Sequence, residues 1–359
     1  MPGPPRDKKR KARTKKKAAG RLVPLWQSVV PPLPDGTLLS GIFTMEKWRL
    51  GKSIGKGAYG EVYEAFSTAE EFSGSYAIKV EPISNGPLFC EIQCYLDVAF
   101  SNKINDWVKS HDLKYLAMPQ FIDWGKNETS PSLQYCFLVM ERFGDNIEKL
   151  FEEAGRKFGV KTVCYLALRI LEALEFLHNS GYAHADIKGS NILTGYSQRD
   201  QVYLVDYGLS FVYQYSQGGH KPYTPDPGYC YGTLPFTSID AHDGANPSRR
   251  GDLEILGYCL LEWSCGRLPW EDYIEDRSKV ASLKRRYKDA PTDLMKDCFK
   301  GNVYPKYLQK YMECIYKLSY EETPKYNHLR QLFFKELKDN GMSDDGTGLD
   351  WISGGGGEG

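Results

Sequence analysis

The sequence has little that would lodge it in a membrane or staple it from outside. Its most apolar stretches, Ile255 to Leu261 and Tyr165 to Leu177, are too short or too interrupted by charge to span a bilayer. No transmembrane helix is therefore expected. No charged, apolar, small-residue signal segment opens the chain. Cysteine occurs nine times, an odd number, and never as Cys-x-x-Cys. That spacing argues against a disulfide framework or a thiolate metal site and implies reduced thiols in an intracellular compartment. Net charge is lacking too, since 46 Lys and Arg balance 46 Asp and Glu. No internal repeat is found.

What is there reads as folded protein. At 359 residues, 41% hydrophobic and 26% charged, the chain can hold one large domain or two lobes with a sizeable core. The neutral balance hides a division. Residues 1 to 21 carry ten Lys or Arg against one acid, Asp7, leaving 36 basic and 45 acidic residues in the remainder. A basic block of this density cannot bury itself, so residues 1–22 are expected to form a disordered arm. Such an arm suits a nuclear-import signal or a contact with DNA or acidic protein, the plainer reading being a solubilising tail.

Hydrophobic periodicity sets out the organisation. Residues 23–43, rich in Pro and Gly, form an extended lead-in. Trp48 to Phe66 alternates strongly enough for two strands around a glycine turn, and Tyr76 to Val80 continues as strand. Leu88 to Phe100 and Ile104 to Leu113 read as helices, Tyr135 to Met140 as a buried strand. From Asn146 the pattern is helical, with Lys161 to Asn179 the longest amphipathic run. The change near Gly144 predicts a hinge between a sheet-rich lobe, about 44–143, and a helical lobe, about 144–340. Residues 341–359 are expected to be a flexible acidic and Gly-rich tail, ending in a Gly354 to Gly357 run of linker composition or a cloning remnant.

Phosphate chemistry is written into three places. Gly55-Lys56-Gly57-Ala58-Tyr59-Gly60-Glu61-Val62 has the G-x-G-x-x-G spacing, which alone is weak because dinucleotide-binding proteins share it at a strand-to-helix turn. Here strand patterns lie on both sides, so the loop is a flap over phosphates. A P-loop ending in Gly51-Lys52-Ser53 fails because the required earlier glycine is Glu46. Lys79 ends the next strand, placed to reach the α and β phosphates. Glu91 on the following helix is its natural counter-charge. Glu81 is also near in sequence, but the phase of Glu91 with Phe89, Ile92 and Tyr95 favours the latter. Downstream, His184-Ala185-Asp186-Ile187-Lys188-Gly189-Ser190-Asn191 is followed by a strand ending in Asp206-Tyr207-Gly208. Asp186 is placed to accept or orient a substrate hydroxyl proton, Lys188 to neutralise charge on a transferred phosphoryl group, and Asn191 and Asp206 to offer hard oxygen ligands to Mg²⁺. A buried Asp in a polar turn would explain any one of these, but not four in this order.

Read as a whole, the chain resembles the vaccinia-related kinase family, in the casein kinase group of protein kinases, over about residues 40–340. Matches beyond the general kinase set include Lys114-Tyr115-Leu116 with Pro119, Met140-Glu141-Arg142-Phe143-Gly144, Asp200 to Leu209, Phe236 to His242, Pro247 to Tyr258 and Leu268-Pro269-Trp270. The resemblance implies an α+β bilobal kinase fold, with a small β-rich N-lobe bearing a regulatory helix and a larger, mainly helical C-lobe. It implies a monomeric Ser/Thr kinase using ATP and Mg²⁺ on histones, transcription factors, the barrier-to-autointegration factor and other nuclear proteins. Localisation would be nuclear, with a cytoplasmic pool beside it. Adenine would lie against Glu141 to Phe143 behind gatekeeper Met140, with Ile54, Gly55, Gly57, Gly60, Val62, Ala77, Lys79 and Glu91 completing the nucleotide site. Thr233 would help hold Asp186, and Asp252 would anchor the catalytic loop from below.

Departures matter. Ala185 stands where most kinases have Arg and close family members have Gly, so no guanidinium is available to pair with a phosphorylated activation segment, and activity should not require that phosphorylation. Ser238-Ile239-Asp240 replaces Ala-Pro-Glu, so the segment must be anchored differently. Tyr207 replaces the usual Phe, adding a hydroxyl that would steady the metal-binding Asp. Two other function classes compete: a catalytically weak scaffold, which would show loss of Lys79, Asp186, Asn191, Asp206 or the loop glycines, and a chromatin-binding module acting through the basic arm.

Overall fold

A computed structural model describes residues 30–57, 60–69, 74–127, 134–226 and 232–352. The basic arm, the loop tip at 58 and 59, and the terminal glycine run lie outside the described residues. The chain order is β1 (Leu38–Ser40), β2 (Lys47–Lys56), β3 (Glu61–Ser67), β4 (Tyr76–Pro82), α1 (Pro87–Val98), α2 (Ser101–Ser110), β5 (Asp123–Asn127), β6 (Tyr135–Glu141) and β7 (Phe143–Asn146). There follow α3 (Ile147–Glu153), α4 (Val160–Asn179), β8 (Tyr182–Ala183), β9 (Ile192–Gly195), β10 (Val202–Leu204), β11 (Phe211–Val212), α5 (Ile239–His242), α6 (Arg249–Cys265), α7 (Arg277–Asp289), α8 (Pro291–Cys298), α9 (Lys306–Lys317) and α10 (Tyr326–Asp339).

The N-terminal half is an antiparallel sheet in the order β1-β2-β3-β4-β6-β5. Strand β6 is buried on both faces, and its period of two divides it between two cores. Tyr135, Phe137 and Val139 join Trp48, Leu50, Tyr63, Ile78 and Val80 on one side; Cys136 and Leu138 meet Leu88, Ile92 and Tyr95 of α1 on the other. That second contact seats α1 against the sheet beside Lys79.

The C-terminal half is built on α4, whose residues are buried nearly all round, packed against α6 and α10. A helix this apolar on every side belongs at the centre of a lobe. Between the halves, β7 leaves the N-lobe and pairs with β9, which pairs with β10. The small sheet carries the chain from the hinge to the loops holding Asn191 and Asp206.

Three expectations need correction. The lead-in, whose residues 23–29 lie outside the described residues, is not merely extended from residue 30 onward: β1 pairs with β2, and the Leu33 amide donates to the Tyr63 hydroxyl at 3.0 Å. The second helix begins at Ser101, three residues before Ile104, and ends at Ser110. The tail expected from 341 onward instead packs on the C-lobe as far as residue 352. Leu349 is fully buried in the main core, Asp350 accepts from the Gly159 amide at 2.8 Å, and Asp344 pairs with the buried Arg169 at 3.0 Å. Acidic composition suggested solvated chain, but these acids cap the start of α4 and neutralise its arginine. Leu349→Ala should therefore cost about 2–4 kcal/mol, seen as a lower urea midpoint with an unchanged slope; an unmoved midpoint would show that the tail does not hold the lobe.

Candidate active site

Lys79 lies on β4, and its ammonium is the meeting point of three carboxylates. Its Nζ is 2.7 Å from Glu91 Oε2 on α1, 3.2 Å from Asp206 Oδ1 and 3.4 Å from Glu81 Oε1. Glu91 also accepts the Tyr207 amide on its other oxygen at 3.2 Å, so one carboxylate ties the strand, the helix and the turn after Asp206 together. The sequence favoured Glu91 over Glu81, and both reach the lysine. Glu81 is fully buried, and neither oxygen has a hydrogen bond of normal geometry.

Electrostatics sort these groups. Burial opposes the charge on Lys79, but Glu91, Asp206 and Glu81 together hold its pKa well above the usual lysine range. Burial pushes Glu91 up to about 7 against the pull of Lys79. Asp206 is also opposed by burial, yet Lys79 keeps it below the usual carboxylate value; its side chain is 43% exposed and faces the cleft as an anion.

The catalytic loop is fixed from beneath. Asp252, 1% exposed on the first turn of α6, accepts the His184 amide at 2.7 Å, the Ala185 amide at 2.8 Å and His178 Nε2 at 2.8 Å. His178 in turn meets the Tyr326 hydroxyl of α10 at 2.5 Å. Sequence reading missed His178, since nothing in a helical Leu-His-Asn signals a partner 74 residues away. Burial keeps His184 below its ordinary pKa, so the neutral ring accepts the Asp186 amide on Nδ1 and donates from Nε2 to the Val205 carbonyl at 3.2 Å.

Above this support the candidate catalytic side chains converge. Asp186 Oδ1 accepts from the Thr233 hydroxyl at 2.8 Å, and Asp186 Oδ2 lies 2.6 Å from Lys188 Nζ, which also donates to Thr233 at 2.9 Å. Asn191 turns its amide nitrogen to Asp186, at 2.8 Å from the carbonyl and 3.1 Å from the carboxylate, leaving its oxygen as the free acceptor. Tyr207 is buried against Tyr95 and His184, and its hydroxyl donates to the Leu204 carbonyl at 3.0 Å, so the hydroxyl steadies the strand before Asp206 rather than Asp206 itself.

A cleft of about 670 Å³ runs between the lobes, lined by Ile54, Gly55, Gly57, Val62, Ala77, Lys79, Glu91, Met140, Glu141, Phe143, Asn191 and Asp206. Ala77 and Met140 are directly paired across β4 and β6, and Gly55 faces Val62 across β2 and β3. A second hollow of about 430 Å³ adjoins it, containing Gly60, Asp186, Lys188 and Thr233. The glycines divide by role. A Cβ on Gly60 would strike the Val80 carbonyl oxygen at 2.0 Å, so that position is glycine for packing. On Gly55 or Gly57 a Cβ would meet nothing closer than 3.7 Å, so the space they leave belongs to the cleft. With an ammonium, two oxygen ligands and open glycine backbone, the residues fit a phosphate chain and a hard divalent cation.

The activation segment has its own fastening. Asp240 pairs with Arg250, whose Nε lies 2.9 Å from its Oδ2; Glu254 accepts the Ile239 amide at 2.9 Å. The fully buried Lys284 of α7 donates to the carbonyls of Leu234 at 3.1 Å and Thr237 at 2.7 Å. Trp270 Nε1 holds the Pro235 carbonyl at 2.8 Å. The missing Ala-Pro-Glu is thus replaced by an Asp–Arg pair and a buried ammonium. Lys284 gave no signal in the sequence, where it sits in a run of basic residues.

A protein kinase domain model matches residues 48–302. The human serine/threonine-protein kinase VRK2 is 40% identical over 304 residues, covering 84% of this chain and 59% of that protein. The chain belongs to the protein kinase family, in its vaccinia-related branch. Within that branch, nucleosomal histone kinase 1 of Drosophila melanogaster is 36% identical over 328 residues, 90% of this chain and 52% of that one. The solved structure of vaccinia related kinase 3 matches with a TM-score of 0.80 at 30% identity, covering 90% of this chain and 97% of that chain. This vaccinia-related kinase chain therefore carries a protein kinase domain and spans little more than half the length of the human and fly proteins it resembles.

Two predictions arise from this geometry. Below about pH 7 Glu91 carries a proton and its ion pair with Lys79 is lost, so kcat/KM should fall as pH drops from about 8 to about 6; Glu91→Gln should sit on the low plateau throughout, and a profile identical in both proteins would refute the assignment. Ala185 has φ +70°, a left-handed conformation that glycine adopts without the Cβ clash. Ala185→Gly should accordingly stabilise the protein by about 0.5–1 kcal/mol, measurable by urea unfolding.

Proposed function

We propose that this chain transfers the γ-phosphate of ATP, with Mg²⁺, to serine or threonine hydroxyls of nuclear, chromatin-associated proteins. The observation that carries this reading is the junction of two hollows: the Lys79, Asn191 and Asp206 side of the cleft opens directly onto Asp186, Lys188 and Thr233. Bound Mg²⁺-ATP would supply the electrophilic phosphoryl group and neutralise its charge. Lys79 would hold the phosphates, held itself by Glu91. Asn191 and Asp206 would bind the metal, Glu141 to Phe143 would take the adenine in front of Met140, and Ile54, Val62 and Ala77 would close over it. Asp186, aimed by Thr233 and Lys188, would receive the substrate hydroxyl proton.

Activity without activation-loop phosphorylation is part of the proposal. Ala185 offers no guanidinium, and the Asp240–Arg250 and Lys284 contacts already hold the described part of the segment. A chromatin substrate is supported by the fly relative, named a nucleosomal histone kinase, and by the basic arm, which would reach DNA phosphates or acidic protein. Histones are the first substrates to try, with nuclear localisation, a cytoplasmic pool and a monomeric state as the accompanying expectations.

Transfer of labelled γ-phosphate from Mg²⁺-ATP to mixed histones tests this. The unmutated protein should label Ser or Thr, and Asp186→Asn should lose about 10²–10⁴ in rate while still binding nucleotide. Lys79→Met should instead weaken productive ATP binding. Full transfer by Asp186→Asn would remove that residue from its role; no transfer by the unmutated chain would overturn the proposal.

A further inference from the structure

Arg142 stands in the hinge between Glu141 and Phe143, and its side chain has a partner in each lobe. Its Nη1 is 2.7 Å from Glu64 Oε1 on β3, the two side chains being 25% and 26% exposed. Its guanidinium carbon stands 4.5 Å from the centroid of the Tyr196 ring. Tyr196 belongs to the turn that joins β9 to β10 in the C-lobe. Arg142 and Tyr196 both line the cleft of about 670 Å³, and Tyr196, half-exposed, does so at its solvent edge.

The C-lobe end of this bridge is a fixed base. The Gly195 amide donates to the Gln201 carbonyl at 2.9 Å, the Asp200 carbonyl accepts the Tyr165 hydroxyl of α4 at 2.6 Å, and the Arg199 carbonyl accepts the Trp351 indole at 2.9 Å. The N-lobe end belongs to the sheet that covers the cleft. Glu64 follows Gly60 on the strand leaving the glycine loop, and it is paired across β3 and β4 with Ala77, itself a cleft residue. The Arg142 amide donates to the Ser75 carbonyl at 2.9 Å, which holds the hinge backbone against the start of β4. Glu64 thus orients the guanidinium and Tyr196 gives it a face to rest on. Any separation of β3 from the turn at this edge breaks one contact or the other.

We propose that Arg142 is a nucleotide-retaining residue: clasped between Glu64 and Tyr196, it closes the solvent edge of the cleft and slows the release of a bound nucleoside di- or triphosphate. The inference rests on the nucleotide reading given above. It gives a role to three side chains that take no part there in holding phosphate, metal or the substrate hydroxyl. The guanidinium acts by keeping β3 and the β9–β10 turn together over the ligand, which must pass between them to leave. Each contact is partly exposed, so each is weak by itself, and breaking one corresponds to about two- to fivefold in a rate. The clasp is therefore a brake on exchange and leaves the chemistry to Asp186 and its neighbours.

The test loads the full chain with Mg²⁺ and the fluorescent N-methylanthraniloyl ADP, mixes it with excess unlabelled ADP and follows release by stopped flow. Arg142→Ala, Glu64→Gln and Tyr196→Leu should each release the nucleotide about two- to fivefold faster. Both contacts run through one guanidinium, so adding Glu64→Gln or Tyr196→Leu to Arg142→Ala should bring no further increase. Tyr196→Phe keeps the ring face and should release at the unmutated rate, which a general loosening of the fold would not allow. Unchanged release from Arg142→Ala, additive effects in the double variants, or Tyr196→Phe as fast as Tyr196→Leu would each overturn the clasp while leaving the nucleotide site in place. No binding of the labelled nucleotide by the unmutated protein would overturn the nucleotide reading and the clasp with it.

Discussion

The contact between Lys79 and Glu91 carries the organisation of the N-lobe into the active site. It joins β4 to α1, and because the second Glu91 oxygen takes the Tyr207 amide, it also joins both to the turn that presents Asp206. A buried pair of this kind adds little net stability, since desolvating two charges offsets much of their attraction, but losing one partner leaves the other charge buried and unpaired, at about 3–5 kcal/mol. The arrangement is therefore a device for position. Its position is also tense, because Glu81 and Asp206 bring two more carboxylates to the same ammonium. The excess negative charge around one ammonium suits a divalent cation beside Asp206.

In the C-lobe the same logic runs through buried polar side chains that hold loops. Asp252 takes three donors at once, two of them the backbone amides that shape the catalytic loop. Lys284 and Glu254 do the converse work for the activation segment, each satisfying backbone groups that would otherwise be buried without a partner. Such groups are stable only where every partner is supplied. This explains why α6, the source of Asp252 and Glu254, lies at the centre of the lobe with α4.

How far the sequence was legible follows from the range of each interaction. Strands β2, β3, β4 and β6 were readable because period-two alternation is local. Helix α4 was readable for its length and apolar content. Lys79, Asp186, Asn191 and Asp206 could be singled out as candidates because phosphoryl transfer demands such groups in a fixed order, and the fold brings them to two adjoining hollows. Boundaries were less so, as at Ser101, where the helix starts before its first buried residue. The tail was misread because acidity is a statement about composition, whereas its packing depends on Arg169 and on the exposed start of α4. The Tyr207 hydroxyl, assigned to Asp206 from adjacency in sequence, reaches the Leu204 carbonyl instead.

The sequence by itself determined the kinase family and the alternation of strand and helix, because residue type and short spacing are enough to mark a candidate phosphate loop, its charge partner and a candidate metal-binding pair. Only the tertiary structure decided which carboxylate lies at 2.7 Å from Lys79 and which at 3.4 Å, that His178 and Tyr326 stand behind Asp252, and that Lys284 is a buried anchor. Each of these depends on residues far apart in the chain being brought within hydrogen-bond range, and no local pattern encodes the distance between two side chains that meet only after the lobes have packed.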